Sequence, residues 1–282
     1  MRLFLLQLWG EIVKMSARKR TYIGFGMFLF VEAALLWILR RPASREHFRR
    51  LLESSGFPFD EYWSMTTLAV IIVGLTVFLL GGNYLALVLG DIVAKETEEG
   101  SFRLLLSRPV SRLRILVLKY LSGVIYTFAL IAFIGVTALL AGIIDRGWGG
   151  GVFIWAPEEG VFEVYPMWEG LARFFFSLPF LTISVLTVSS IAFMFSCFKI
   201  KPAAATILTV SIMVVDMILK NLPFAVAYRE YALLAHMSVY AKIYQNVIPW
   251  PEVAKDYAFL FGVNATCFVV GWLAFQWRDF KS

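Results

Sequence analysis

Six long apolar runs constrain this chain more than any other feature. A helix crossing a bilayer needs about 17–25 consecutive, mostly apolar residues, and residues 21–39, 68–89, 115–144, 170–198, 203–219 and 257–277 all satisfy that requirement. The chain is 60% hydrophobic and only 16% charged, whereas an ordinary soluble domain is about half apolar and a quarter charged. The expected fold is an all-α polytopic membrane helix bundle of about six transmembrane helices, forming one domain over residues 1–282. The third and fourth runs are long enough to tilt or to project beyond the lipid. Only Lys199, Ile200, Lys201 and Pro202 separate the fourth from the fifth, which predicts a tight hairpin.

Residues 3–9 are too short to span, and Lys14, Arg18, Lys19 and Arg20 follow them. Basic residues behind an apolar stretch do not make a cleaved signal peptide. Residues 1–20 are instead expected to form an amphipathic helix on the membrane surface. The net charge of +6 comes mainly from residues flanking apolar runs, where they orient helices and meet lipid headgroups rather than nucleic acid. Lys14, Arg18, Lys19, Arg20, Lys95, Arg103, Arg108, Arg112, Arg114, Lys119, Lys199, Lys201, Arg278 and Lys281 fall on one side. By the positive-inside rule that side is cytoplasmic, with both termini inside an inner (cytoplasmic) membrane. Arg40, Arg41, Arg45, Arg49 and Arg50 in the first outer loop oppose the bias, partly balanced by Glu46, Glu53, Asp60 and Glu61. Trp37, Trp63, Trp168, Trp250 and Trp277 stand near span ends, as an interfacial aromatic belt requires. The two cysteines, Cys197 and Cys267, lie at a span end and inside a span and suggest no disulfide framework. Residues 221–256 mix apolar and charged positions and are expected to form a semi-buried outer loop of short helices.

The segment between the second and third runs, GDIVAKETEEGSFRLLLSRPVSRLRILVLK over residues 90–119, holds the chemistry. An acidic stretch leaves the membrane, Gly100 interrupts it, and the Ser101 hydroxyl can cap a new short helix. Phe102, Leu104, Leu105 and Leu106 then form an apolar patch that Pro109 ends. Such a patch is costly in water unless lipid or a partner covers it.

Glu96, Glu98, Gly100, Leu105, Leu106, Pro109, Ser111, Arg112 and Lys119 follow one another as in the signature of the ABC type-2 permease family, which this stretch resembles, with Ser101 where Thr is usual. The ending FQWRDF at residues 275–280 is similar to that family's frequent basic-Asp close. The resemblance implies the permease subunit of an ABC exporter that pairs with a second permease copy, each binding a separate cytoplasmic ATPase. Residues 91–114 would be the cytoplasmic coupling loop. Glu96, Glu98, Glu99, Gly100, Ser101, Phe102, Leu104, Leu105 and Leu106 would contact the ATPase, and ATP and Mg would be bound by that partner. The chain itself has no Gly-x-x-x-x-Gly-Lys-[Ser/Thr] phosphate loop. The cargo is not legible.

Two other readings exist. A secondary transporter or channel would use ionisable groups at membrane depth. Glu32, Asp216 and the Asn83 amide are the candidates for a translocation path, against a plain role in bonding or packing helices. Glu98, Glu99 and Arg103 also match the Glu-Glu-x-x-x-Arg string of an intramembrane protease family, but the two histidines of the chain, His47 and His236, fall in outer loops on the other side. Met194, Met213 and Met217 lie apart and read as packing rather than as metal ligands. Glu158, Glu159, Glu163 and Glu169 read as a solvated acidic loop, with cation or partner binding as the alternative.

Overall fold

The computed structural model describes residues 2–100, 111–222 and 226–277. Ten helices carry the fold. A surface helix α1 (Arg2–Ser16) leads into α2 (Lys19–Leu39), then α3 (Pro42–Ser54) and the short α4 (Phe59–Tyr62). Next come α5 (Met65–Glu98) and α6 (Arg112–Arg146). A hairpin of β1 (Val152–Ala156) and β2 (Val161–Tyr165) precedes α7 (Met167–Cys197), α8 (Pro202–Asn221), α9 (Leu233–Met237) and α10 (Trp250–Gln276). Six of these, α2, α5, α6, α7, α8 and α10, are long and apolar enough to cross a membrane.

The spans alternate in direction, so α1, the end of α5, the start of α6 and the end of α10 meet at one end of the bundle, the near end below. The α3, α4, hairpin and α9 segments collect at the far end. At 1.5 Å per residue, the 34 residues of α5 and 35 of α6 exceed the roughly 30 Å hydrocarbon layer.

The axis of the bundle is α7, which packs against α5, α6, α8 and α10. Apolar contact alone cannot sort helices in lipid, because the tails are as apolar as leucine, so interhelical hydrogen bonds between small polar side chains do much of it. The buried Thr127 and Ser189 hydroxyls bond at 3.2 Å, Tyr120 and Ser190 at 2.8 Å, and Tyr84 and Tyr126 at 2.7 Å. Gly142 lets α6 cross the start of α5 closely, since a Cβ there would sit 2.3 Å from the Met65 carbonyl oxygen. In contrast, α2 and α8 are peripheral and turn Ile23, Phe30, Ile207 and Val215 outward.

The far end is a folded cap rather than loose loops. Residues 152–156 and 161–165 are short runs rich in β-branched and aromatic residues and pair antiparallel, Val152 with Tyr165 and Ile154 with Glu163. Pro157–Glu159 and Gly160, at φ +65°, turn the chain between them. The Phe153 amide donates to the Thr67 hydroxyl at 2.9 Å, and the Tyr165 hydroxyl donates to the Tyr244 carbonyl at 2.5 Å, tying the hairpin to the bundle. Trp63 is not part of an interfacial belt as expected. It stacks on Phe59 beneath the cap and is 2% exposed. Trp37, Trp168, Trp250 and Trp277 do stand exposed near span ends.

Candidate functional site

The near end gathers the charges that flank residues 99–111. Along α1, Leu3, Leu6, Trp9 and Val13 lie on an exposed apolar face, while Glu11 and Lys14 turn toward the bundle. Glu96, near the end of α5, and Lys119, two turns into α6, are both excluded from solvent. Lys119 Nζ lies 2.7 Å from Glu96 Oε1 and 3.0 Å from Glu11 Oε2. Lys14 Nζ reaches the same Glu96 oxygen at 2.5 Å, with Arg18 at 3.9 Å. Two acids and two lysines thus alternate across three helices. Such a cluster survives burial because each charge has an opposite neighbour; one left unpaired would cost several kcal/mol. Beside it, Arg20 of α2 pairs with Asp91 of α5.

Both margins of the connecting segment are anchored by short-range bonds. At its start, Gly100 adopts φ +71° and its amide closes on the Thr97 carbonyl at 3.1 Å, a left-handed helix stop that glycine makes without strain. At its far margin, Ser111 caps α6 by accepting from the Arg114 amide at 3.3 Å. Arg112 Nη1 donates to the Gln276 carbonyl at 2.7 Å, joining the start of α6 to the end of α10. An open groove of about 450 Å³ runs between α5 and α8, lined in part by Arg20, Asp91, Lys95, Glu98, Lys201 and Thr206.

The expected site residues now have places. Glu98 and Glu99 are exposed at the end of α5, and Gly100 follows them. Ser101, Phe102, Leu104, Leu105 and Leu106 lie outside the described residues. Glu96 departs from the expectation of a partner contact: it is 1% exposed and spent on Lys14 and Lys119. The motif position is occupied by a joint inside the chain, and nothing in its sequence neighbourhood named Lys14 or Glu11 as its partners.

The path candidates do not converge. Glu32 is buried between α2 and α6 and accepts from the Thr137 hydroxyl at 2.9 Å. Asn83 follows a widened π turn, Val77–Gly81, faces outward and donates to the Leu79 carbonyl of its own helix at 3.1 Å. Asp216 is 2% exposed and accepts from the Tyr228 hydroxyl at 2.7 Å and from the Leu233 and Leu234 amides at 3.0 and 2.8 Å. That carboxylate clamps the 226–237 segment to α8. Its bond raises the Tyr228 phenol to about 12, with burial adding to the effect. His47 and His236 sit at the far end, across the bundle from Glu98 and Glu99.

The four far-end glutamates are not a free acidic loop. Glu158 pairs with Lys220 at 2.7 Å, Glu159 accepts from Ser238, Glu163 accepts from the Asn246 amide at 3.1 Å, and Glu169 pairs with Arg173 at 3.0 Å. Among the described residues, no three His, Cys, Asp or Glu side chains gather as a metal site needs.

Residues 52–281 match the model of a family described as a protein of unknown function, DUF2705. The chain belongs to that family. A search of curated proteins returned no match. The DUF2705 match contains Glu96, Ser111, Arg112 and Lys119, whereas Glu11 and Lys14, which complete the charge cluster, precede it.

Proposed function

We propose that this chain is the permease subunit of an ATP-driven exporter of the ABC type-2 kind, working with a separate cytoplasmic ATPase and a second permease copy. In this reading the near end is cytoplasmic and the segment after Glu98 receives the ATPase. The observation that supports it best is the Glu11–Lys119–Glu96–Lys14 cluster. It locks both flanks of that segment and the surface helix into one body, so a push on the segment moves the second and third spans together instead of bending a loose loop. Glu98, Glu99 and Gly100 with Ser101, Phe102 and Leu104–106 remain the contact residues of the proposal, without Glu96. The outward apolar faces of α2 and α8 leave area for lipid and for the second copy. Proton- or ion-coupled transport through Asp216 has less in its favour, because three donors of the cap already occupy that carboxylate.

The test is co-purification. The chain is co-expressed with the ATPase encoded nearest its gene, and the tagged chain is captured from detergent extract. The ATPase should be retained by the wild type and lost with Leu105→Asp, while Leu3→Asp on α1 leaves retention unchanged. Ion flux or substrate turnover in liposomes containing this chain alone would overturn the reading.

A further inference from the structure

Arginines converge at the far end, where α2 and α6 finish and α3 begins. Arg40 Nε holds Asp145 Oδ1 at 2.5 Å, and Arg146 Nε lies 3.3 Å from Asp145 Oδ2. The charged groups acting on the Arg146 guanidinium are Arg45, Asp145, Asp60 and Arg40. Three guanidinium ions therefore face two carboxylates, an excess of one positive charge. Asp145, its side chain 7% exposed, is already taken by two of them.

The hydrogen bonding is incomplete. Arg45 Nε, Arg146 Nε and Arg146 Nη2 are buried and have no hydrogen-bond partner among the described residues. Buried polar atoms are nearly always satisfied, so orphaned donors call for an acceptor. Arg45 Nε and Arg146 Nη2, which unlike Arg146 Nε have no ion contact among the described residues, sit beside a surplus positive charge and suit a compact oxyanion with several acceptor oxygens. Arginine's planar fork fits phosphate in this way. These donor atoms are covered as the side chains stand, but the Arg146 side chain is 24% exposed, so its fork has a short path to the surface. Its depth is that of a headgroup: Arg41 covers the Trp37 ring at 3.8 Å, and Trp148 is exposed just beyond Arg146. Arg45 belongs to the first turn of α3, whose start has no side-chain cap, and uncapped helix starts favour anions.

We infer that Arg40, Arg45 and Arg146 form a binding site for a phosphate group at the far end of the first and third spans. The phosphate accepts from the free nitrogens of Arg45 and Arg146, and Arg40 with Asp145 holds the forks in place. The site is independent of the exporter proposal and sits at the opposite end of the bundle.

The experiment follows thermal unfolding of the purified chain in neutral detergent by tryptophan fluorescence. The probes are dioleoyl phosphatidylglycerol, dioleoylglycerol as the same tails without phosphate, and inorganic phosphate against chloride at equal ionic strength. The wild-type midpoint should rise by about 3 °C or more with phosphatidylglycerol over dioleoylglycerol, with inorganic phosphate, or with both. Arg45→Gln should abolish the rise, because Arg45 makes no ion pair among the described residues whose loss would unfold the chain. Arg50→Gln, on the same helix but paired with Glu46, should keep it. A rise with phosphatidylglycerol alone assigns the site to a lipid headgroup, and a rise with inorganic phosphate to a soluble ligand. If Arg45→Gln already lowers the midpoint in detergent alone, retention of phosphatidylglycerol in native mass spectrometry by Arg146→Lys against wild type gives the same comparison, with reduced retention expected. Equal responses of wild type and variants, or no wild-type response to either probe, would overturn the assignment.

Discussion

Glu96 Oε1 and Lys119 Nζ meet at 2.7 Å with both side chains shut off from solvent, the first at the end of α5 and the second early in α6. They face each other on either side of the segment that joins the second and third spans. Removing one member of a buried pair strands the other, at a cost of about 3–5 kcal/mol, and Glu11 beside Lys119 places Glu96→Ala at the lower end. The thermal midpoint of the purified chain should fall by about 6–12 °C. Glu96→Leu with Lys119→Met should recover part of the loss. A double-mutant cycle with no coupling would show that the pair does not act as a joint.

Asp216 holds the cap by three bonds, two of them from backbone amides. Asp216→Ala orphans those amides at about 1–3 kcal/mol each, so local opening of residues 226–237 should become at least about tenfold more frequent. Limited proteolysis in detergent should then cut this stretch about tenfold faster while the remaining spans stay intact, and Asp216→Asn should lie between. Unchanged cutting would mean that the clamp is not what orders the segment.

Gly142 is where α6 meets the backbone of α5 at close range. A methyl group there must displace the Met65 carbonyl, and overpacking of this kind costs about 1–3 kcal/mol. Gly142→Ala should lower the unfolding midpoint by about 2–12 °C. Gly10→Ala, whose Cβ meets nothing within 4 Å, should leave it unchanged or raise it.

High pH should loosen the cap before it dissolves the bundle. The Tyr228 phenol is raised to about 12 by the bond it donates to Asp216, and burial raises Tyr240 to about 12 as well. For Lys242, burial lowers the ammonium, but the Glu252 bond and the charges of Glu159, Glu252 and Asp256 outweigh it and leave the group above its ordinary value. All three are raised in the fold, so their contribution is complete below the unfolded values near 10 and declines as pH climbs through the folded ones. Proteolytic resistance of residues 226–244 should therefore drop between about pH 10 and 12. Tyr228→Phe should be less resistant at pH 8 and show a shallower drop. A cap equally resistant at pH 8 and 12 would contradict this.

The six spans were legible because lipid imposes a length and a polarity on every crossing helix, and each observed span overlaps its apolar run with edges shifted by up to nine residues. The shifts have one cause. Periodicity of apolar residues stops where the bilayer stops, but a helix continues into water when its polar end finds partners, as α5 does through Asp91 and Glu96. The hairpin was also within reach of the sequence, since VFIWA and VFEVY are β-branched and aromatic runs flanking a Pro-Glu-Glu-Gly turn. Reading residues 147–169 for their charge alone concealed it.

What the sequence determined by itself is the membrane bundle, the amphipathic first helix and the glycine stop at residue 100, all of which depend on neighbours within a few turns. Only the tertiary structure decided the partners. Glu96 reads as a surface acid beside Glu98 and Glu99, yet it alone is buried, because the helical repeat turns it toward α1 and α6 while its neighbours face out. Asp216 reads as a charge in a span, yet it is a clamp for residues twelve to eighteen positions away. Arg45 and Arg146, about a hundred positions apart, feel each other's charge because α3 begins near where α6 ends. A charge in low dielectric must be matched by whatever the fold brings near, and that neighbour is set by packing across the bundle, which a linear pattern does not contain.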